Sequence, residues 1–198
     1  MGLRETKMER TRQFIADTAF DLFVAQGYDH TTIEQIAAAA EVGTRTLYRY
    51  YPTKEALLVN FVENGLNTAM AAFVAQPDEM PLSQALYAVV ASVEETIETN
   101  SARLLALYEI IYKTSALRAG LADLDWCWRQ RLAKEILRRA GDTGNALFAA
   151  LTAASTMNVI EVIVQTWVTN GGAVKAADIT RETLELLHAK AIPVPSPG

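Results

Sequence analysis

Cysteine occurs once in the 198 residues, as Cys127, which excludes an intrachain disulfide framework and any multi-thiolate metal site within one chain. Such poverty in cysteine suits a reducing compartment. Histidine occurs only twice, as His30 in a loop and His188 near the end, which makes a conventional His-based catalytic triad hard to assemble. The chain also has no P-loop, no G-x-G-x-x-G fingerprint and no H-E-x-x-H. The expectation is no enzyme, no cofactor and no metal; Cys127, set between Trp126 and Trp128, reads as a packed thiol before a nucleophile. Long apolar runs are missing too. The start, MGLRETKMERTRQFIADTAF, has no apolar signal core. The most apolar stretch, Phe148 to Val168, is interrupted by Thr152, Ser155, Thr156, Asn158, Glu161, Gln165 and Thr166. It reads as a buried helix of a soluble cytoplasmic protein, with no membrane partner. Excess positive charge is lacking as well: a formal net charge of −5 argues against a protein that coats nucleic acid over its whole surface.

What the chain does have is apolar content, 51 %, enough for a sizeable core. Its charge is unevenly spread. Residues 1–54 hold seven Lys/Arg and seven Asp/Glu, whereas the remainder holds eleven and sixteen. Any contact with nucleic acid therefore belongs to the N-terminal quarter. Apolar positions recur three and four apart, with Gly and Pro between the runs, so the fold class is all-α with about nine helices.

The first helix is expected over 7–26, with the stripe Phe14, Ile15, Ala19, Leu22 and Phe23 and with Gly27 as its stop. The second starts at Thr31, where Thr31 and Glu34 have capping-box spacing, and ends near Ala40. After the turn Glu41-Val42-Gly43 a third runs to about Tyr51; Pro52 blocks it and Thr53 caps the next, 54–75. Further helices are expected at roughly 82–99, 101–114, 117–140, 143–170 and 175–190. The chain divides into an N-terminal helical segment, 1–53, a larger helical part, 54–190, and a proline-rich tail, 191–198, expected to be disordered.

Two short helices joined by a three-residue turn make a helix-turn-helix. Ile33, Ile36 and Ala37 face Val42, Leu47 and Tyr51 and build the platform. Thr44, Arg45, Tyr48 and Arg49 point outward, with Thr46 and Tyr50 on the margins. Arginine binds guanine or phosphate through paired hydrogen bonds, threonine meets base edges, and tyrosine hydroxyls suit phosphate oxygens. Thr32, at the start of the second helix, and Lys54, at the start of the fourth, read as phosphate contacts. Tyr50 and Tyr51 also fit core or rim.

IADTAFDLFVAQGYDHTTIEQIAAAAEVGTRTLYRYYPTKEALL, Ile15 to Leu58, closely resembles the N-terminal domain of the TetR (tetracycline repressor) family of transcriptional regulators. The resemblance rests on A-x-x-L-F-x-x-x-G-Y, TT-x-x-x-I-A and TLY-x-x-[YF]-P-[ST]-K-E-A-L at the right spacings. It implies a homodimer on a near-palindromic double-stranded operator. By the same resemblance 1–53 is a helix-turn-helix DNA-binding domain, and 54–190 is an effector-binding and dimerisation domain that holds a small-molecule effector and the dimer interface. Two departures stand out: Glu41 replaces the family's usual turn glycine, and Gly43 its usual capping serine.

In the larger C-terminal part, Phe61, Met70, Phe73, Tyr87, Tyr108, Tyr112 and Trp126 are candidate walls of an apolar effector pocket. Glu109, Asn158 and Glu161 are polar residues embedded in apolar helices. A buried carboxylate needs a partner, in the protein, the effector or the other subunit; Glu161 fits a solvent-facing dimer rim equally well. Leu151, Ser155, Val159, Trp167 and Leu184 are candidates for the dimer interface. The favoured reading is a repressor released from its operator by a small, largely apolar or aromatic molecule. A TetR-like activator, or a helical ligand-binding dimer without specific DNA binding, stays open, although the latter has no need of the Thr44–Arg49 surface.

Overall fold

Nine helices and no strand make up the described residues of the computed structural model, which are 3–141 and 145–189; the tail expected to be disordered, 191–198, lies outside them. In chain order they are α1 (Leu3–Gln26), α2 (Ile33–Ala39), α3 (Thr44–Tyr50), α4 (Lys54–Val74), α5 (Leu82–Thr99), α6 (Ser101–Lys113), α7 (Ser115–Ala140), α8 (Ala146–Thr169) and α9 (Ala176–His188). The chain forms two compact units. One comprises residues up to Asn64 with Ala106–Asp123; the other comprises Gly65–Leu105 and the chain from Leu124 onward.

In the first unit Ile15, Ala19, Phe20 and Phe23 of α1 are buried, as are Ile36 of α2, Leu47 of α3 and Leu57 and Leu58 of α4. Burying a side chain of this size stabilises the fold by about 1.5–3 kcal/mol. Phe14, expected in the α1 stripe, is instead exposed. One residue is about 100° around a helix, and Ile15 takes the inward direction. Gly27 ends α1 at φ 89°, a left-handed conformation glycine adopts without strain, and its N–H donates to the Phe23 carbonyl at 3.0 Å.

The second unit is built around Met70, Phe73, Val89, Trp128, Leu132 and Ile136, with Ala153, Met157, Ile160, Ile163 and Trp167 from α8. The buried Trp128 indole donates to the Leu66 carbonyl at 3.0 Å, so the polar edge of a core side chain is satisfied. Where α4 ends, the Arg139 guanidinium donates to the carbonyls of Phe73, Gln76 and Pro77 and lies over the Phe73 ring. Helices α4 and α8 are long and apolar enough, by length and composition, to cross a membrane. In this fold α8 turns one apolar face into the core and leaves Leu147, Phe148, Leu151 and Val162 exposed.

Candidate nucleic-acid interface

Helix α2 begins one residue later than its sequence spacing indicates. Thr32, not Thr31, is the N-cap: its Oγ1 accepts from the Gln35 N–H at 3.2 Å, while Gln35 Oε1 accepts from the Thr32 N–H at 2.9 Å. This reciprocal pair replaces the expected Thr31–Glu34 box, because both registers satisfy the same spacing and only one buries the neighbouring threonine. Thr31 is that neighbour. It is fully buried, donates to the Gly27 carbonyl at 2.8 Å and accepts from Gln26 Nε2 at 3.2 Å.

The turn into α3 is tight. Ala40, Glu41 and Val42 donate their N–H groups to Ile36, Ala38 and Ala37. Glu41 sits at φ 53°, a left-handed conformation that costs an L-residue about 1 kcal/mol. Gly43 caps α3 through its backbone alone, accepting from the N–H groups of Thr46 at 2.8 Å and Leu47 at 3.0 Å. Leu47 is completely buried, which turns Thr44, Arg45, Tyr48 and Arg49 outward; Thr46 and Tyr50 are half-buried. The Arg49 guanidinium lies 5.3 Å from the Tyr50 ring centroid. The outward face carries two cations and no acidic group.

Tyr51 takes the core alternative. Its ring is 1 % exposed, its hydroxyl donates to the Arg12 carbonyl at 3.1 Å and the Arg12 guanidinium lies 5.5 Å from the ring centroid. Burial pushes its phenol up to about 12, against the pull of Arg12. The end of α3 is thereby fastened to α1.

Lys54, expected as a phosphate contact, points into the protein. Its Nζ donates to the carbonyls of Tyr28 at 2.7 Å and Thr31 at 3.3 Å and lies 4.0 Å from the Tyr28 ring centroid. The Tyr28 hydroxyl donates to Glu55 Oε1 at 2.9 Å. Burial raises the Tyr28 phenol, and the Glu55 bond and charge raise it further. Burial also pushes the Glu55 carboxyl up, but hydrogen bonds from its own backbone, Tyr28 and Thr53, with the nearby Lys54 charge, leave it below the usual range. The Thr53 hydroxyl accepts from the Ala56 N–H at 3.2 Å, as expected of the cap of α4.

The candidate effector residues do not gather in one unit. Phe61, Tyr108, Glu109 and Tyr112 belong to the first; Met70, Phe73, Tyr87, Trp126, Asn158 and Glu161 belong to the second. Met70 and Phe73 are core residues, whereas Tyr87, Tyr112 and Trp126 are exposed. The embedded polar residues are exposed and partnered, not buried. Glu109 pairs with Lys113 at 2.7 Å, Glu161 accepts from Gln165 at 3.0 Å and Asn158 accepts from Arg129 at 3.0 Å. Apolar neighbours along a helix do not enclose a residue that its own period turns outward. Cys127 is exposed as well, contrary to the packed thiol expected. Among the described residues no group of His, Cys, Asp and Glu could hold a metal ion.

In the second unit a groove of about 620 Å³ runs between α5, α8 and α9. Its lining includes Tyr87 and four of the dimer candidates, Leu151, Ser155, Val159 and Leu184. The fifth, Trp167, is 3 % exposed and already spent inside the subunit. Its ring packs beside Gly172, where an added Cβ would come within 3.2 Å of it.

Residues 15–60 match the family model described as bacterial regulatory proteins, tetR family. The chain is 36 % identical over 146 residues to the HTH-type transcriptional regulator TcmR of Streptomyces glaucescens; the alignment spans 71 % of this chain and 65 % of that relative, just under two thirds of its length. Its fold is similar to that of a TetR-family transcriptional regulator from Syntrophomonas wolfei, with a TM-score of 0.68 at 19 % identity, over 96 % of this chain and 99 % of that one. It is also similar to the fold of FadR from Bacillus subtilis, solved in complex with stearoyl-CoA, with a TM-score of 0.63 at 20 % identity, over 88 % and 96 %.

Proposed function

Because this chain belongs to the TetR family of bacterial regulatory proteins, we propose that it acts as a cytoplasmic repressor. It holds a near-palindromic operator as a homodimer and leaves it when a small, largely apolar or aromatic molecule binds. The match to the family model and the similarity to TcmR support its acting as a DNA-binding transcriptional regulator. The observation that carries the finer reading is the face of α3. Leu47 inside and Tyr51 fastened to α1 leave Thr44, Arg45, Tyr48 and Arg49 outward as one set, free of acidic neighbours on the same helix.

In this reading Arg45 and Thr44 meet base edges in the major groove, while Tyr48 and Arg49 set the register on phosphates. Thr46, Tyr50 and the Thr32 hydroxyl are further contacts at the margin. One seven-residue helix reads few bases, so two copies placed about 34–36 Å apart read two half-sites. The exposed apolar face of α8 and α9, with Leu147, Leu151, Val162, Leu186 and Leu187, is the surface on which the second copy docks.

The effector acts by binding the two shapes of the dimer unequally, and a coupling of about 1–3 kcal/mol weakens operator binding about 5–150-fold. A largely apolar effector is in keeping with the fold shared with a regulator solved with stearoyl-CoA. Helix α4, which contributes residues to both units, is the element through which its binding reaches the head.

Fluorescence anisotropy on DNA flanking the protein's own gene tests the reading. The expected result is preference over a shuffled duplex, with affinity falling steeply as salt rises. Equal affinity for both duplexes refutes it. Reduced transcription of the flanking gene on deletion of the protein would reassign it as an activator.

A further inference from the structure

Lys54 and Tyr28 stand at the two ends of the helix-turn-helix. Between the Tyr28–Thr31 loop and the start of α4 the chain makes α2, the turn and α3, and then returns to within hydrogen-bond distance of its starting point. One ammonium closes that circuit, with carbonyls at 2.7 and 3.3 Å and an aromatic face at 4.0 Å. The next residue closes it again, through the Tyr28 hydroxyl on Glu55. The Tyr28 ring is buried and lies 5.1 Å from the Phe23 ring, so the clamp bears on the core of the head.

We infer that Lys54 is a positioning residue of the DNA interface: it locks the loop before α2 to the start of α4, and so fixes α2 and α3 relative to each other, in place of neutralising a phosphate. This rests on the reading of α3 as the DNA-contacting helix. An ammonium has three donors and no acceptor. Two of them are committed to carbonyls, and the charge is spread over the Tyr28 face. Only one donor remains for a phosphate, and an ammonium drawn fully onto one would leave the two loop carbonyls without their donor.

Closing the circuit also has an entropic purpose. Two seven-residue helices are too short to persist alone, and tying their ends restricts the alternatives open to the segment between them. The compactness of the ammonium matters. The planar guanidinium of arginine is longer and broader, so it would have to shift the carbonyls or the ring to make the same contacts.

Three variants of the full chain decide the matter: Lys54→Met, which keeps the stem but removes the charge; Lys54→Arg, which keeps the charge but not the shape; and Tyr28→Phe, which removes only the hydroxyl. Amide hydrogen exchange on the free protein should show Tyr28–Gln35 exchanging faster in both Lys54 variants and, to a smaller extent, in Tyr28→Phe. Operator binding of Lys54→Met should weaken about tenfold, the size of the loss of charge-assisted hydrogen bonds. The slope of log affinity against log salt should stay that of the wild type, and arginine should not restore binding. A phosphate-seated lysine would lower the slope by about one, and arginine would rescue it. Unchanged exchange over Tyr28–Gln35, a slope lowered by about one, or rescue by arginine overturns the inference. If the wild-type protein itself shows no operator preference, the functional reading fails, and the exchange data still decide whether the clamp exists.

Discussion

Glu41 holds a backbone conformation that its side chain disfavours, and the turn between α2 and α3 depends on it. Replacing it with glycine removes a strain of about 1 kcal/mol, less the greater freedom glycine has when unfolded. The Glu41→Gly variant should melt up to about 2–4 °C higher by calorimetry. Tyr51 gives a second residue-scale test. Its phenol is raised from 10.0 to about 12, so folding favours the neutral form. The stability this confers is complete below pH 10 and is lost as pH rises toward 12. Denaturant titrations should show a fall across that window that is shallower in Tyr51→Phe. Glu55 works in the opposite direction: its lowered carboxyl supports the clamp at neutral pH and releases it as pH falls through the lowered value. Glu41 and Gly43 were legible in the sequence as unusual turn and cap residues. The inward Lys54 was not, because no residue spacing marks which of a lysine's possible acceptors lies nearest in space.

At the scale of elements, Gly and Pro positions revealed the helices well, since a stop such as Gly27 or Pro52 acts on its own neighbours alone. The α6–α7 break falls at Thr114, beside the weak one expected near Ser115. What a helix faces was harder to read. Phe14 and Ile15 are equally apolar, and only the partner helices decide which is buried. Glu109 looks enclosed in sequence, and Glu161 fits either an enclosed or a solvent-facing position, because a list of neighbours has no direction, whereas a helix does. Trp167 misleads similarly: large and apolar, it fits an interface until Gly172 is seen lying against it. Helix α3 lacks a side-chain cap, and no atom lies within 4 Å of a Cβ added at Gly43, whose φ of −70° and ψ of 146° suit serine. The Gly43→Ser variant should therefore gain a few tenths of a kcal/mol, read as a small rise in the denaturation midpoint with an unchanged slope. A loss of stability would mean that the turn does not present the conformation described.

For the whole molecule, assembly and recognition have to be tested together. Leu151 is 60 % exposed on the apolar face of α8, so Leu151→Glu places a charge on the surface proposed for the second copy. Light scattering should show a monomer with unchanged helical content, and operator affinity should fall because each subunit then binds one half-site. A stable dimer in this variant would move the interface elsewhere. The reading of α3 is tested most directly by measuring Arg45→Ala and Arg49→Ala against operators carrying one changed base pair at a time. At least one variant should lose about 1–3 kcal/mol on the intact operator and become indifferent to the base pair at one position in each half-site. Losses below about 0.5 kcal/mol for both, with discrimination among the operators unchanged, would contradict the assignment of α3 as the helix that reads DNA.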